Sequence, residues 1–235
     1  MEEFDSVEVY KNDIFFNCST RMLIFGGSNT GKTFLVEQLV RLHHTKFHKI
    51  IICGTRNKLL DFKETAKITR HFKSPKNEDV IYNPFSEINE LHEGNYGHKQ
   101  ILIIYDDLLD LVCKSDVVSK LFIKGRHHNL SVIVILQTFF PKNVSSNNLA
   151  GVFKCNATHY LFTKSASMGE VQCLAGKIEF SRDYKRFFLA LYKRLVLGKR
   201  YGYLCVQLDV SNERVKYMTN ILFEDKSKYY TVHSK

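Results

Sequence analysis

The sequence predicts an α/β fold in which helices flank a mainly parallel central sheet. Strand-like apolar runs alternate along the chain with segments of helical periodicity. A glycine-rich segment joins the first clear strand to the first clear helix, as in βα units. The 235 residues are 44% hydrophobic, which is sufficient for a sizeable buried core.

The elements follow one another in a βα rhythm. An isoleucine-rich strand follows the first helix, whose apolar residues recur every three or four positions. Prolines and glycines make the segment of about 72–97 irregular. The predicted elements are strand 21–25, helix 32–43, strands 49–53 and 101–105, a helix over about 108–125, and strands 131–136, 159–163 and 203–210.

The whole chain, 1–235, is predicted to form a single domain. No linker, low-complexity tract or internal repeat divides it. We expect a motif-bearing core over about 20–165 and a basic C-terminal part, 166–235, of the same domain. The sequence has neither a transmembrane-length apolar run nor a secretory signal, which predicts an intracellular protein.

Positive charge is concentrated towards the C-terminus. The net charge is +10, and residues 151–235 contain 15 Lys and Arg against 7 Asp and Glu. This excess favours a polyanionic partner such as DNA or RNA. The six cysteines form no CxxC pair and lie at no ligand spacing from the histidine pairs, which favours free thiols over a zinc site.

The loop between the first strand and the first helix reads GGSNTGKT and matches the P-loop pattern GxxxxGK[ST]. Glycines let the backbone approach phosphates, lysine places a positive charge on the β and γ oxygens, and threonine can coordinate Mg²⁺. A nucleoside triphosphate with Mg²⁺ is the predicted ligand. The loop residues are Gly26, Gly27, Ser28, Asn29, Thr30, Gly31, Lys32 and Thr33.

Two adjacent carboxylates, Asp106 and Asp107, end the strand predicted at 101–105. We expect Asp106 to hold the metal together with Thr33, and Asp107 to orient or deprotonate the attacking water. An acidic pair in place of a single aspartate indicates an NTPase with its own water-activating group.

The strand predicted at 131–136 is followed by Gln137. This residue would lie beside the P-loop at the carboxyl edge of the sheet, where its amide could contact the γ-phosphate or the lytic water. The basic turn before the strand contains Arg126. The segment 57–61, NKLLD, has the wrong spacing for a guanine-reading loop and comes too early, which favours ATP over GTP.

The three motifs, in this order, resemble the FtsK/HerA superfamily of P-loop ATPases. The segment RHHNLSVIVILQTFF, residues 126–140, is the most specific part. More narrowly, the sequence is similar to the genome-packaging ATPases of poxviruses, other large DNA viruses and Maverick/Polinton transposons. The resemblance covers about 20–165 by motifs and 201–223 more loosely. It implies an additional-strand (ASCE, RecA-like) NTPase, with the strand of Gln137 between the P-loop and Asp106 strands.

The resemblance also implies a ring, a pentamer or hexamer, in which an arginine of one subunit completes its neighbour's site. Arg126 is the preferred candidate and Arg214 the second. The family commonly has Arg-x-Asn after the sensor strand, but this chain has Lys154-Cys155-Asn156. Lysine keeps the charge without the bidentate geometry of arginine, so the role of Lys154 stays open.

A basic segment, 182–200, contains seven Lys and Arg and one acid. Its apolar residues recur at helical spacing, which predicts a helix with a buried apolar face and a solvated basic face. The basic face could also follow the phosphates of DNA. The interleaved apolar residues are Phe187, Phe188, Leu191, Tyr192 and Leu195.

We therefore expect an ATPase that drives double-stranded DNA into a capsid, with capsid-vertex or membrane-associated packaging components as further partners. The resemblance implies that it acts in the host cytoplasm or nucleus, with association with the virion as an alternative. A cellular DNA pump or helicase, a nucleotide-gated adaptor and a small-molecule kinase remain alternatives. The predicted catalytic residues are Lys32, Asp107, Gln137 and Arg126, and the predicted metal ligands are Thr33 and Asp106.

Overall fold

The computed structural model describes residues 6–10, 15–54, 68–72, 81–86, 100–138, 152–153, 156–165, 167–178, 182–208, 217–222 and 227–230. Within these ranges a single ten-stranded sheet runs in the order β1-β10-β9-β8-β7-β2-β6-β5-β3-β4. The strands are β1 Ser6–Tyr10, β2 Arg21–Phe25, β3 Phe47–Gly54, β4 Ile68–Phe72, β5 Gln100–Asp106, β6 Leu130–Leu136, β7 His159–Phe162, β8 Leu204–Gln207, β9 Tyr217–Thr219 and β10 Ser227–Tyr230.

Six neighbouring strands, from β7 to β4, pair in parallel. The remaining strands, β8, β9, β10 and β1, extend the sheet in antiparallel fashion beyond β7. The predicted fold class, a mainly parallel sheet flanked by helices, is confirmed. The predicted insertion of β6 between β2 and β5 is also confirmed.

Helices cover both faces of the sheet. The α-helices of the described ranges are α1 Lys32–His43, α2 Leu109–Lys114, α3 Asp116–Lys124, α4 Met168–Ile178 and α5 Arg182–Tyr192. Short 3-10 helices lie at His44–Lys46, Pro84–Ser86 and Gly125–His128, and a π-helical segment at Lys193–Leu197 follows α5.

Side chains alternate between the two faces of the sheet along each strand, so the core consists of two clusters, one on each face. On one face, Met22 and Ile24 of β2 join a cluster that contains the apolar side of α1. On the other face, Leu23 and Phe25 join a larger cluster with side chains from α2 to α5. Both faces of β2 are therefore buried, so that the loop after it begins from a strand at the centre of the core.

Two predicted elements differ in detail. The helix expected over about 108–125 is two helices, because Ser115 adopts an extended conformation and its side chain accepts a hydrogen bond from the backbone N–H of Val118 at 3.3 Å. The strand predicted at 203–210 is the shorter β8. Most of the irregular segment 72–97 lies outside the described residues. No helix in the described part of the chain is long and apolar enough to span a membrane.

Candidate nucleotide-binding site

The GGSNTGKT loop lies at the carboxyl edge of the parallel strands, between β2 and α1. Gly26 has a φ of 152°, and a Cβ built on it would lie 2.1 Å from Oγ1 of Thr163 at the end of β7. Gly31 has a φ of 86° and precedes the first residue of α1. Glycine is therefore required at Gly26 both by its backbone angle and by the neighbouring strand.

Hydrogen bonds stabilise the loop from within. The Nζ of Lys32 donates to the carbonyls of Gly26 at 2.8 Å and Gly27 at 2.6 Å. The hydroxyl of Thr30 donates to the Gly27 carbonyl at 2.9 Å and lies 2.7 Å from Oγ1 of Thr163. The lysine is thus buried at the first turn of α1 while it lines the cleft above the loop.

Thr33 and Asp106, the two residues predicted to hold the metal, are in contact with each other. Thr33 Oγ1 donates to Asp106 Oδ2 at 3.4 Å, across the edge of the sheet. Asp106 is the last residue of β5, and the residue is only 5% exposed. Two oxygens bound side by side to one Mg²⁺, each at about 2.1 Å, would lie about 3 Å apart. The spacing and the all-oxygen donor pair therefore fit Mg²⁺.

Asp107 and Gln137 form a second pair at the outer side of the cleft. The Gln137 amide Nε2 donates to Asp107 Oδ1 at 2.5 Å, and Ser28 Oγ donates to Gln137 Oε1 at 3.5 Å. Asp107 has a φ of 57°, a left-handed conformation that aspartate adopts more readily than most residues. This turn directs the exposed carboxylate to the glutamine that follows β6.

A cleft of about 240 Å³ brings these groups together. It offers a concave loop, a lysine, an oxygen pair whose spacing fits Mg²⁺ and a carboxylate linked to an amide, which are the parts that phosphoryl transfer to water requires. Its lining residues are Ser28, Asn29, Thr30, Gly31, Lys32, Thr33, Phe34, Asp106, Asp107, Ile135 and Gln137.

The candidate arginines lie elsewhere. Arg126 is exposed in the 3-10 turn that precedes β6, and it lines a separate pocket with Arg21 and Gln100, the first residues of β2 and β5. This pocket is at the amino edge of the parallel strands, opposite the P-loop. Arg126 is therefore outside the cleft of its own subunit, and its role in a neighbour's site stays a prediction. Arg214 and Lys154 lie outside the described residues.

Some contacts at the site are made by residues that belong to no sequence motif. The hydroxyl of Thr138, directly after Gln137, donates to Glu170 Oε1 in the first turn of α4 at 2.6 Å. Ser165 Oγ donates to the other oxygen of Glu170 at 3.4 Å, and its backbone N–H donates to the Tyr192 hydroxyl at 2.8 Å. Tyr192 in turn donates to the Thr163 carbonyl at 3.1 Å. These hydrogen bonds connect the end of β6 to α4, α5 and the end of β7.

The predicted basic helix is α5 with the π-helical segment after it. All five interleaved apolar side chains are buried, and most of the basic residues are exposed, as expected. The exposed basic residues of this segment are Arg182, Arg186, Lys193, Arg194, Lys199 and Arg200. The segment thus presents a basic surface on a helix that is anchored in the core.

A strand, P-loop and helix, with an aspartate pair at the end of β5 and an additional strand between β2 and β5, define a P-loop ATPase of the additional-strand class. A family model described as "Poxvirus A32 protein" matches residues 7–172. The chain therefore belongs to the poxvirus A32 family, which confirms the resemblance read from its motifs. It is an ATPase of viral genome packaging.

Solved structures share the fold. B204, the DNA-packaging ATPase from Sulfolobus turreted icosahedral virus, has a TM-score of 0.57 at 14% identity, over 92% of this chain and all of B204. The genome packaging NTPase B204 from Sulfolobus turreted icosahedral virus 2, in complex with ATP-gammaS, has a TM-score of 0.54 at 14% identity, over 81% of this chain and 93% of that one. No curated protein sequence matches the chain.

Proposed function

We propose that the chain binds Mg²⁺ and ATP in the cleft above β2, β6 and β5, and that ATP hydrolysis there drives double-stranded DNA into a capsid. The observation that carries this proposal is the convergence of the P-loop, the Thr33–Asp106 pair and the Asp107–Gln137 pair in one cleft. The structurally similar packaging NTPase B204 from Sulfolobus turreted icosahedral virus 2 forms complexes with ATP-gammaS and with AMPPCP, which supports ATP as the ligand.

The phosphates would lie against the loop and the first turn of α1. The Lys32 ammonium neutralises the β and γ oxygens, and backbone N–H groups of the loop cradle the phosphate chain. Thr33 and Asp106 would hold Mg²⁺, which supplies charge neutralisation of the leaving phosphate oxygens. These groups bind and position the triphosphate.

Asp107 orients the attacking water and accepts its proton as the bond to the γ-phosphorus forms and the bond to the β–γ bridging oxygen breaks. Gln137 holds Asp107 through a direct hydrogen bond. Because the Gln137 amide also accepts a hydrogen bond from Ser28 of the P-loop, it is placed to respond to the γ-phosphate. In this proposal Gln137 is the sensor of the nucleotide state.

The sensor strand is also connected to the proposed DNA surface. Thr138 bonds Glu170 on α4, and Ser165 joins Glu170 to Tyr192 at the end of the basic helix α5. A change in the position of Gln137 would therefore be transmitted to α4 and α5 through buried and half-buried hydrogen bonds. The exposed basic residues of α5 and of the segment 193–200 after it would contact DNA phosphates, with little reading of base sequence.

The working assembly in this proposal is a homo-oligomeric ring around the duplex, acting inside the host cell at a capsid vertex. Each chain contributes one domain, and Arg126 reaches the cleft of the neighbouring subunit. Rings that mix Arg126→Ala and wild-type subunits test the role of this arginine. Arg126→Ala subunits should impair ATP hydrolysis by their wild-type neighbours. Wild-type neighbours that are unaffected would show that Arg126 is not part of the neighbouring site.

Hydrolysis is tested with Asp107→Asn, which keeps the shape of the side chain and removes the base. We expect kcat for ATP hydrolysis to fall by about 10²- to 10⁴-fold, while ATP affinity stays within about threefold because the binding groups are intact. Asp110→Asn is the matched control, since Asp110 is an exposed carboxylate in the first turn of the adjacent α2. If the Asp107→Asn chain still packages DNA, the protein is instead a nucleotide-gated adaptor.

A further inference from the structure

Two exposed aromatic side chains flank the P-loop. In the described part of the chain only three large apolar side chains are exposed, Tyr201 at 60%, Phe34 at 62% and Ile123 at 44%. Phe34 follows the GKT triplet and lines the nucleotide cleft. Tyr201 packs on the P-loop itself, because its Cδ1 atom lies 3.4 Å from the position of a Cβ on Gly31.

The turn that carries Tyr201 is fixed by close packing. A Cβ on Gly202 would lie 2.1 Å from the Leu195 carbonyl oxygen and 2.9 Å from the Cα of Val196. Only glycine allows the turn to lie flat on the π-helical segment after α5. Arg200 lies over the Tyr201 ring, with 5.3 Å from its guanidinium carbon to the ring centroid. The ring is therefore held against the P-loop while most of it remains exposed.

The strand order places Tyr201 on the opposite side of the P-loop from the hydrolytic groups. Asp107 and Gln137 follow β5 and β6, on one side of β2. Tyr201 precedes β8, on the other side of β2, and β8 runs antiparallel so that its first residue pairs with Phe162 at the carboxyl edge of the sheet. A triphosphate whose γ end lies at Asp107 and Gln137 would extend its nucleoside towards Tyr201.

We infer that Tyr201 is the nucleobase-binding residue of this chain and that its ring stacks on the adenine of ATP. This inference rests on the proposed ATP site and adds a residue to it. A purine ring presents a flat apolar face, and an exposed aromatic ring beside the phosphate loop matches it in shape and polarity. Phe34, which lines the cleft, provides a second aromatic surface near the P-loop.

The absence of tryptophan from the sequence gives a direct test. In Tyr201→Trp the new indole is the only one in the chain, so its fluorescence reports on this position alone. We expect ATP to quench the emission, because the base stacks on the indole, and inorganic tripolyphosphate to leave it unchanged. Ile123→Trp is the matched control, with an exposed indole on α3 away from the loop. Equal responses of Tyr201→Trp to ATP and tripolyphosphate would overturn the inference.

Affinities measured by calorimetry separate base binding from phosphate binding. Tyr201→Ala should weaken ATP by about 5- to 150-fold, the range for the loss of one aromatic stacking contact. Its affinity for tripolyphosphate should stay at the wild-type value, and Tyr201→Phe should retain ATP affinity. If Tyr201→Ala keeps its ATP affinity, or loses affinity equally for both ligands, the assignment of Tyr201 is overturned while the ATP site itself is not. A wild-type chain that binds neither ligand would overturn the ATP site as well.

Discussion

Acid should destabilise this protein through the buried imidazole of His159. His159, the first residue of β7, is 5% exposed and its ring centroid lies 5.2 Å from that of Phe15. Its Nδ1 lies 2.9 Å from the Thr158 hydroxyl, and its Nε2 has no hydrogen-bond partner in the described part of the chain. Burial, with a smaller contribution from the nearby Arg21, lowers the pKa of His159 from 6.5 to about 3.

The direction and size of the effect follow from proton linkage. The unfolded chain binds a proton at His159 below pH 6.5, whereas the folded chain binds it only below about pH 3. The stability due to the neutral imidazole is therefore complete above pH 6.5 and is lost progressively as the pH falls to about 3. Between about pH 7.5 and about pH 5 the loss is about 2 kcal/mol, at about 1.4 kcal/mol per pH unit below the unfolded pKa.

Urea denaturation at the two pH values measures this loss. The wild-type free energy of unfolding should fall by about 2 kcal/mol more than that of His159→Gln, which has no titrating group at this position. His44→Gln is the control, because His44 is exposed, and it should lose as much stability as the wild type. Equal losses in His159→Gln and the wild type would show that His159 takes up no proton on unfolding.

Three further predictions concern the site. Gly26→Ala should lower the free energy of unfolding by about 1–3 kcal/mol, because the new Cβ would meet Thr163. Gly169→Ala in α4 is the control and should not lower it. Equal stability of the two variants would contradict the strained loop. Glu170→Gln should reduce the stimulation of ATPase activity by duplex DNA but keep the basal rate, and unchanged stimulation would exclude coupling through α4. Duplex affinity, measured by anisotropy, should fall at least about tenfold from about 50 to about 200 mM salt. Arg194→Ala should reduce the slope of log affinity against log salt concentration by about one. An affinity that does not depend on salt would rule out phosphate contacts.

Local pattern was sufficient to predict six of the ten strands in the described ranges, and to bring the P-loop, Asp106, Asp107 and Gln137 together at one cleft. The P-loop, Asp106 and Gln137 each follow an apolar strand, and the ends of neighbouring parallel strands meet at one edge of the sheet. Helix α1 begins and ends at the predicted residues because its apolar stripe starts just after Gly31. In these segments local periodicity and tertiary packing favour the same structure.

Contacts between distant segments could not be predicted in this way. Glu170 meets Thr138, and Tyr201 packs on Gly31, across long sequence separations and without a motif of their own. These contacts depend on how α4 and the turn before β8 pack against the sheet. The break at Ser115 was different, since a serine followed by aspartate is a recognisable helix start and could have been read from the sequence.

The most direct test of an ATP-driven DNA motor is displacement of a third strand from a duplex. A labelled triplex-forming oligonucleotide is bound at one end of a linear duplex, and its release is followed after ATP is added to the full chain. We predict release that depends on ATP with the wild type and with Asp110→Asn, and none with Asp107→Asn. Hydrolysis of ATP by the wild type on this duplex, without release of the third strand, would contradict translocation.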